Sequence, residues 1–387
     1  MTENDVRNRL LAVELPLEHE AELRSWALVR AEFKRREHVS WPRRRLRPLL
    51  ALAAVAALLT AAFTPPGRGL AERLREAIAP APADPIALPA PGRLLVLTAE
   101  GPWIVQTDGS KRLLGRYEDA VWSPRGLFIG ATRGRTLVAL QPNGRVRWTI
   151  SHRGTLSQPR WSPSGFRIAY RNGDALRVVA GDGTSDRLLE PSAGEAVPSW
   201  QPGSRHVLAF ADREGRINIV NTDTGSGVLA GTHVAAPARE LAWSSDGTRL
   251  FALAGDRIEV HNPAGRRTET IPTPGGQTAS SLAPAPEGQQ LAFTAFDART
   301  GTSSVLLADI AGPGEPRALF TGEGRFDGLA WSPDGRWLLV GWPDADQWLF
   351  LRAPDVRRVV TVSAVSSEFD PGGSGEGRFP GVVSWCC

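Results

Sequence analysis

The residues able to do chemistry in this chain are few, and their spacing is unhelpful to it. The six histidines are His19, His38, His152, His206, His233 and His261, and no two stand at the His-Glu-x-x-His spacing that turns two imidazoles toward one zinc ion. No Gly-x-Ser-x-Gly stretch is present, so the sharp strand-to-helix turn that exposes a hydrolase nucleophile is not expected. A Walker-type phosphate loop is missing as well. The stretches TDTGSG (222–227) and AGDGTSD (180–186) carry the Asp and Gly of a calcium loop, yet Asp-Gly at a hairpin is first of all a tight turn. Cys386 and Cys387 are the only cysteines. Adjacent cysteines bridge only through a strained ring, so two free thiols are expected. The expectation is therefore no metal, no cofactor and no enzyme. A site assembled from scattered carboxylates in a central funnel is the remaining enzymatic alternative, and no particular carboxylate is nominated.

Composition agrees with a turn-rich globular chain. Gly (40) and Pro (31) exceed average usage, which favours many short strands over long helices. The net charge of +4 is spread out, and nearly every basic residue is Arg, with Lys34 and Lys111 the only lysines. No basic stripe interleaved with aromatics is found, so no nucleic-acid partner is expected.

The first part of the chain reads as a membrane anchor. Residues 1–47 form a polar helical segment in which Leu23, Trp26, Val29 and Phe33 recur at helical spacing, a candidate docking face for a cytoplasmic partner of residues 17–38. Residues 48–64 contain no charged side chain and are expected to cross the membrane as one short Ala-rich helix. Arg43, Arg44, Arg45 and Arg47 crowd its N-terminal flank, so the positive-inside rule leaves 1–47 in the cytoplasm and the rest outside. Residues 65–92 begin with Leu70, Leu74 and Ile78 on an amphipathic helix and continue as a Pro/Ala spacer.

From residue 93 one unit repeats. LAWSPDGRWLLVGW (329–342) is its clearest copy. The others are marked by Trp122, Trp161, Trp200 and Trp243, with Pro284 in the tryptophan's place before Trp331. Successive marks lie 39, 39, 43, 41 and 47 residues apart. Each unit reads as an apolar strand ending in Trp, a Ser-Pro-x-Gly turn, and three further strands. A period of about 40–45 residues with four strands is that of a β-propeller blade.

The fold class expected is therefore all-β, a β-propeller over 93–387 preceded by a helical segment and one transmembrane helix. Residues 93–117 supply three strand-like pieces before the first Trp-Ser-Pro, and FPGVVSW (379–385) looks like the missing first strand. Pairing of the two closes seven blades with Trp385 as a seventh structural mark, and without it the ring has six. The recurring tryptophans are expected to pack blades rather than to form a sugar-binding array. The Gly-rich stretch 366–379 is expected to be a linker loop.

These units resemble the W-S-P-D-G, WD-repeat-like propeller repeat of TolB-type periplasmic proteins and of propellers attached to prolyl-oligopeptidase-like enzymes. The resemblance implies a binding module or scaffold at the bacterial cell envelope, with a protein or peptide partner. A transmembrane sensor of the anti-sigma kind, acting through the cytoplasmic helix, is the alternative.

Overall fold

The computed structural model describes residues 86–387, apart from 204, 225–226, 233, 235, 288, 311–313, 355–357 and 371–377. Seven four-stranded antiparallel sheets follow one another along this part of the chain. Blade 1 joins β1 (Arg93–Thr98), β2 (Gly101–Val105) and β3 (Lys111–Leu113) to the final strand, β28 (Gly381–Cys386). Blades 2 to 7 each take four consecutive strands, β4–β7 through β24–β27. The first strand of each faces the ring's axis: β4 (Asp119–Trp122), β8 (Leu156–Trp161), β12 (Ser199–Trp200), β16 (Ala238–Trp243), β20 (Thr278–Pro284) and β24 (Asp327–Trp331).

The side-chain pattern follows position in the blade. Second strands carry the longest buried apolar runs, as in β17 (Leu250–Ala254), LFALA, buried throughout. Outermost strands alternate, as in β27 (Val359–Ser363), because one face meets solvent. The core lies between blades. One cluster joins Leu94 and Val96 of blade 1 to Leu339, Trp348 and Phe350 of blade 7.

Ring closure is the seven-blade arrangement. Leu94 of β1 lies opposite Trp385 of β28, and Arg93 opposite Cys386. Two segments seal this seam. Ile86, Leu88 and Ala90, the described end of the stretch read as a spacer, are buried in the same cluster, and Leu88 N–H donates to the Thr107 carbonyl at 3.1 Å. On the other side a single helical turn, α1 (Val365–Glu368), buries Val365, and Phe369 beyond it meets Trp103 edge-on. The start of the stretch read as a linker is thus anchored, and 371–377 lie outside the described residues.

The cysteines depart from expectation. The sulfurs of Cys386 and Cys387 are bonded to each other, so they are not free thiols. Their placement explains what they pack on. Between several other blades the proline of one turn faces a turn glycine of the next, as Pro124 faces Gly165 and Pro286 faces Gly335. Cys387 occupies the proline's place against Gly126, where a Cβ would come within 3.0 Å of its sulfur.

Residues 1–85 lie outside the described residues, and with them the expected helix and its face Leu23, Trp26, Val29 and Phe33, the expected span 48–64, and Arg43, Arg44, Arg45 and Arg47. Among the described residues no helix is long and apolar enough to cross a membrane.

Candidate functional site

The repeat tryptophans are structural. Trp122, Trp161, Trp200, Trp243 and Trp331 end their inner strands, Trp385 is the last but one residue of its own, and all six are buried. Three of them bond to the preceding blade at a fixed position. Trp200 Nε1 donates to the Arg160 carbonyl at 2.9 Å, Trp243 Nε1 to Ser199 at 3.2 Å and Trp331 Nε1 to Ala283 at 2.8 Å. Each acceptor is the residue just before the previous blade's own Trp or Pro. Pro284 keeps the strand position and has no such donor.

Three residues before the tryptophan the inner strands break register. Ladder shifts fall between Ser157 and Arg160, Ala238 and Glu240, Ser280 and Ala283, and Asp327 and Leu329. Gln158 and Ser281 there take positive φ, 52° and 57°. A bulge of this kind frees a backbone N–H from the ladder and re-aims a side chain. Two acids at the equivalent position of a neighbouring blade accept those freed groups. Gln158 N–H donates to Asp119 Oδ2 at 2.9 Å, and Leu282 N–H to Glu240 Oε1, also at 2.9 Å.

Between these acids stands Arg160. Among the described residues its guanidinium bonds only to the Pro159 carbonyl, at 2.8 Å, and it attracts both Asp119 and Glu240 electrostatically. Burial pushes the Glu240 carboxyl up to about 7, against the pull of the Leu282 and Ser281 amides and of Arg160. Burial also raises Asp119, with Arg160 and two amides opposing, and lowers Arg160.

Beside Arg160 and Glu240 a cavity of about 430 Å³ opens between blades 3, 4 and 5. Arg160, Trp161, Pro198, Trp200, Arg239 and Glu240 are among its lining. Its cause is local: β12 is only two residues long. Pro198 has no N–H for a ladder, and Val197 instead makes an isolated parallel bridge to Glu240. Arg239 is exposed and has no bonded partner among the described residues.

Three further polar clusters tie strands together elsewhere. Ser164 Oγ lies 2.8 Å from His206 Nε2, whose Nδ1 lies 2.6 Å from Asp223 Oδ2. The order is that of a nucleophile, base and orienting acid. Ser164 Oγ, however, also accepts from Phe166 N–H at 3.2 Å and pairs with Ser162 Oγ at 2.9 Å. Arg167 binds Asp223 as well, at 3.0 Å. Burial opposes, but His206 and Arg167 hold the Asp223 carboxyl below its ordinary value. These bonds tie blade 3 to blade 4. His152, Tyr170, Arg177 and Asp186 form a second cluster, with Tyr170 OH donating to Asp186 Oδ1 at 2.7 Å. In blade 5 Glu259 and His261 are buried together, 3.2 Å apart. Of the remaining histidines, His19, His38 and His233 lie outside the described residues. Among the described residues no group of three or more His, Cys, Asp or Glu is placed to hold a metal ion.

The seven closed sheets define a seven-bladed β-propeller. No family model matches the chain, and no curated protein sequence matches it. Solved propellers do. Hsv2p of Kluyveromyces lactis is 15% identical with a TM-score of 0.53, over 67% of this chain and 89% of that one. Hsv2 of Kluyveromyces marxianus is 13% identical with a TM-score of 0.52, over 70% and 93%. The likeness is one of fold.

Asp119, Arg160, Arg239 and Glu240 were not singled out by the sequence reading. The signal was present in register: with the units aligned on Trp, DAVW and ELAW place an acid at the same offset.

Proposed function

We propose that this propeller is a non-enzymatic binding module that docks a protein partner on the axial cavity of blades 3 to 5. One observation carries the reading. The cavity brings together two guanidinium groups with spare donors and one carboxyl on a rigid frame, and rigid scaffolds with a few convergent polar groups are what binding sites require. The proposal includes a place for the module. The uncharged run 48–64 and its arginine-rich N-terminal flank support a single-pass anchor with the propeller outside the cytoplasmic membrane. The W-S-P-D-G repeat supports a role of the TolB kind at the envelope.

In-cell crosslinking of the full chain, beside a chain lacking 1–47, tests this. Envelope proteins captured by both would support the module. Capture of a cytoplasmic protein that disappears with 1–47 would replace it with a transmembrane sensor acting through Trp26, Val29 and Phe33.

A further inference from the structure

We infer that the cavity between blades 3, 4 and 5 takes the carboxylates of an acidic peptide segment on Arg160 and Arg239, and that Glu240 takes up a proton as they bind. The inference rests on the binding-module reading and names the chemistry its partner must present.

Charge selects the ligand. The charged groups among the cavity's lining are Arg160, Arg239 and Glu240. Arg160 spends one donor on the Pro159 carbonyl, and Arg239 spends none on the described residues. A guanidinium fork matches a carboxylate in two parallel bonds, and two forks on one wall match neighbouring acidic side chains. An ammonium or guanidinium ligand would meet like charge from both arginines. Trp161, Pro198 and Trp200 give the remaining wall apolar area for the peptide's stem.

Glu240 then supplies the coupling. It is faced by Arg160 from β8, by the Leu282 and Ser281 amides from β20 and by uncharged Val197 from blade 4, with its chain neighbour Arg239 on the same cavity wall. Asp119 acts on Arg160 from the far side. An incoming carboxylate repels the Glu240 anion and competes for Arg160, so the bound state favours protonated Glu240. Its carboxyl already sits at about 7 in the free protein, so the proton is taken up near neutral pH. Binding is therefore tighter at pH 6 than at pH 8.

Calorimetric titration of the purified full chain with acetyl-tetra-aspartate amide tests this, run at pH 6 and 8 in two buffers of different ionisation enthalpy. Affinity roughly fivefold higher at pH 6 and net proton uptake are expected, as a rise of about one unit in the Glu240 carboxyl on binding would give. Arg239→Gln, at an exposed position, should weaken binding at least roughly tenfold, as loss of a charge-assisted pair does. Glu240→Gln should bind equally at both pH values without proton uptake. Unchanged affinity in Arg239→Gln, equal binding of acetyl-tetra-lysine amide, or no binding of the aspartate probe would overturn the assignment. Succinate binding as tightly as the peptide would overturn the peptide in favour of a small dicarboxylate. Crosslinked partners retained in full by Arg239→Gln, with no peptide binding, would remove this site and leave a binding module that docks its partner elsewhere on the propeller. Tight peptide binding with no captured partner would do the reverse.

Discussion

Leu94 in the first described strand and Trp385 in the last are directly paired across one ladder, so the first blade is built from both ends of the propeller sequence. Trp385 also meets Phe350 of blade 7 edge-on, with ring centres 5.6 Å apart. Without this strand blade 1 would have three strands, and β1 would become its uncovered inner edge. Trp385→Ala should therefore cost about 3–5 kcal/mol, the range for deleting a large buried aromatic side chain. Urea unfolding of the full chain measures it, and a cost below about 1 kcal/mol would mean that the closing strand contributes little to the fold.

The indole bonds between blades give a sharper comparison. Trp331 Nε1 bonds to Ala283, whereas Trp161 Nε1 is buried without a partner. Phenylalanine at either position removes similar volume, but only at 331 does it leave a carbonyl unpaired. Trp331→Phe should be less stable than Trp161→Phe by about 1 kcal/mol, the net worth of a hydrogen bond. Paired thermal melts resolve the difference, and equal losses would show that volume alone decides.

How far this was legible in the sequence depends on which interactions repeat. The Trp-Ser-Pro unit recurs because every blade needs the same packed indole and turn, so blade number and the closing strand follow from spacing. Asp119 and Glu240 repeat in only two blades and look, one at a time, like ordinary strand acids. Their meaning lies across the blade boundary, where Gln158 and Leu282 offer freed amides. Pro198 is similar: its effect is a shortened β12 and the gap beside it, visible only once blades 3 and 5 flank it. The cysteine pair misled because the strain of a bridge between neighbours argues against one, whereas the two sulfurs are bonded.

Glu240 should also be visible in stability against pH. Its carboxyl is raised from 4.5 to about 7 on folding, so the folded state binds the proton more tightly than the unfolded chain does. Its contribution is complete below pH 4.5 and is lost as pH rises through about 7. Asp186 and Asp223, held low, act in the opposite sense at acid pH. Wild type minus Glu240→Gln isolates the term. The stability difference should fall steadily from pH 4.5 to 7 and then level off. A flat difference over that window would mean that Glu240 is ionised in the folded protein throughout.

The buried pair in β18 (Arg257–His261) calls for a double-mutant cycle. Glu259 and His261 are fully buried, and His261 Nδ1 also reaches the Gly265 carbonyl at 3.1 Å. Arg267 approaches Glu259 from outside at 3.3 Å. Removing one member takes a buried partner from the other, and breaking a buried pair typically costs about 3–5 kcal/mol. Removing both leaves no half of the pair behind. Glu259→Leu and His261→Leu should therefore each be strongly destabilising, while the double variant should recover at least about 1 kcal/mol of the summed loss. Chemical denaturation of the four proteins supplies the cycle. Strict additivity would show that the two side chains are stabilised separately, His261 through Gly265 and Glu259 through Arg267, and not through each other.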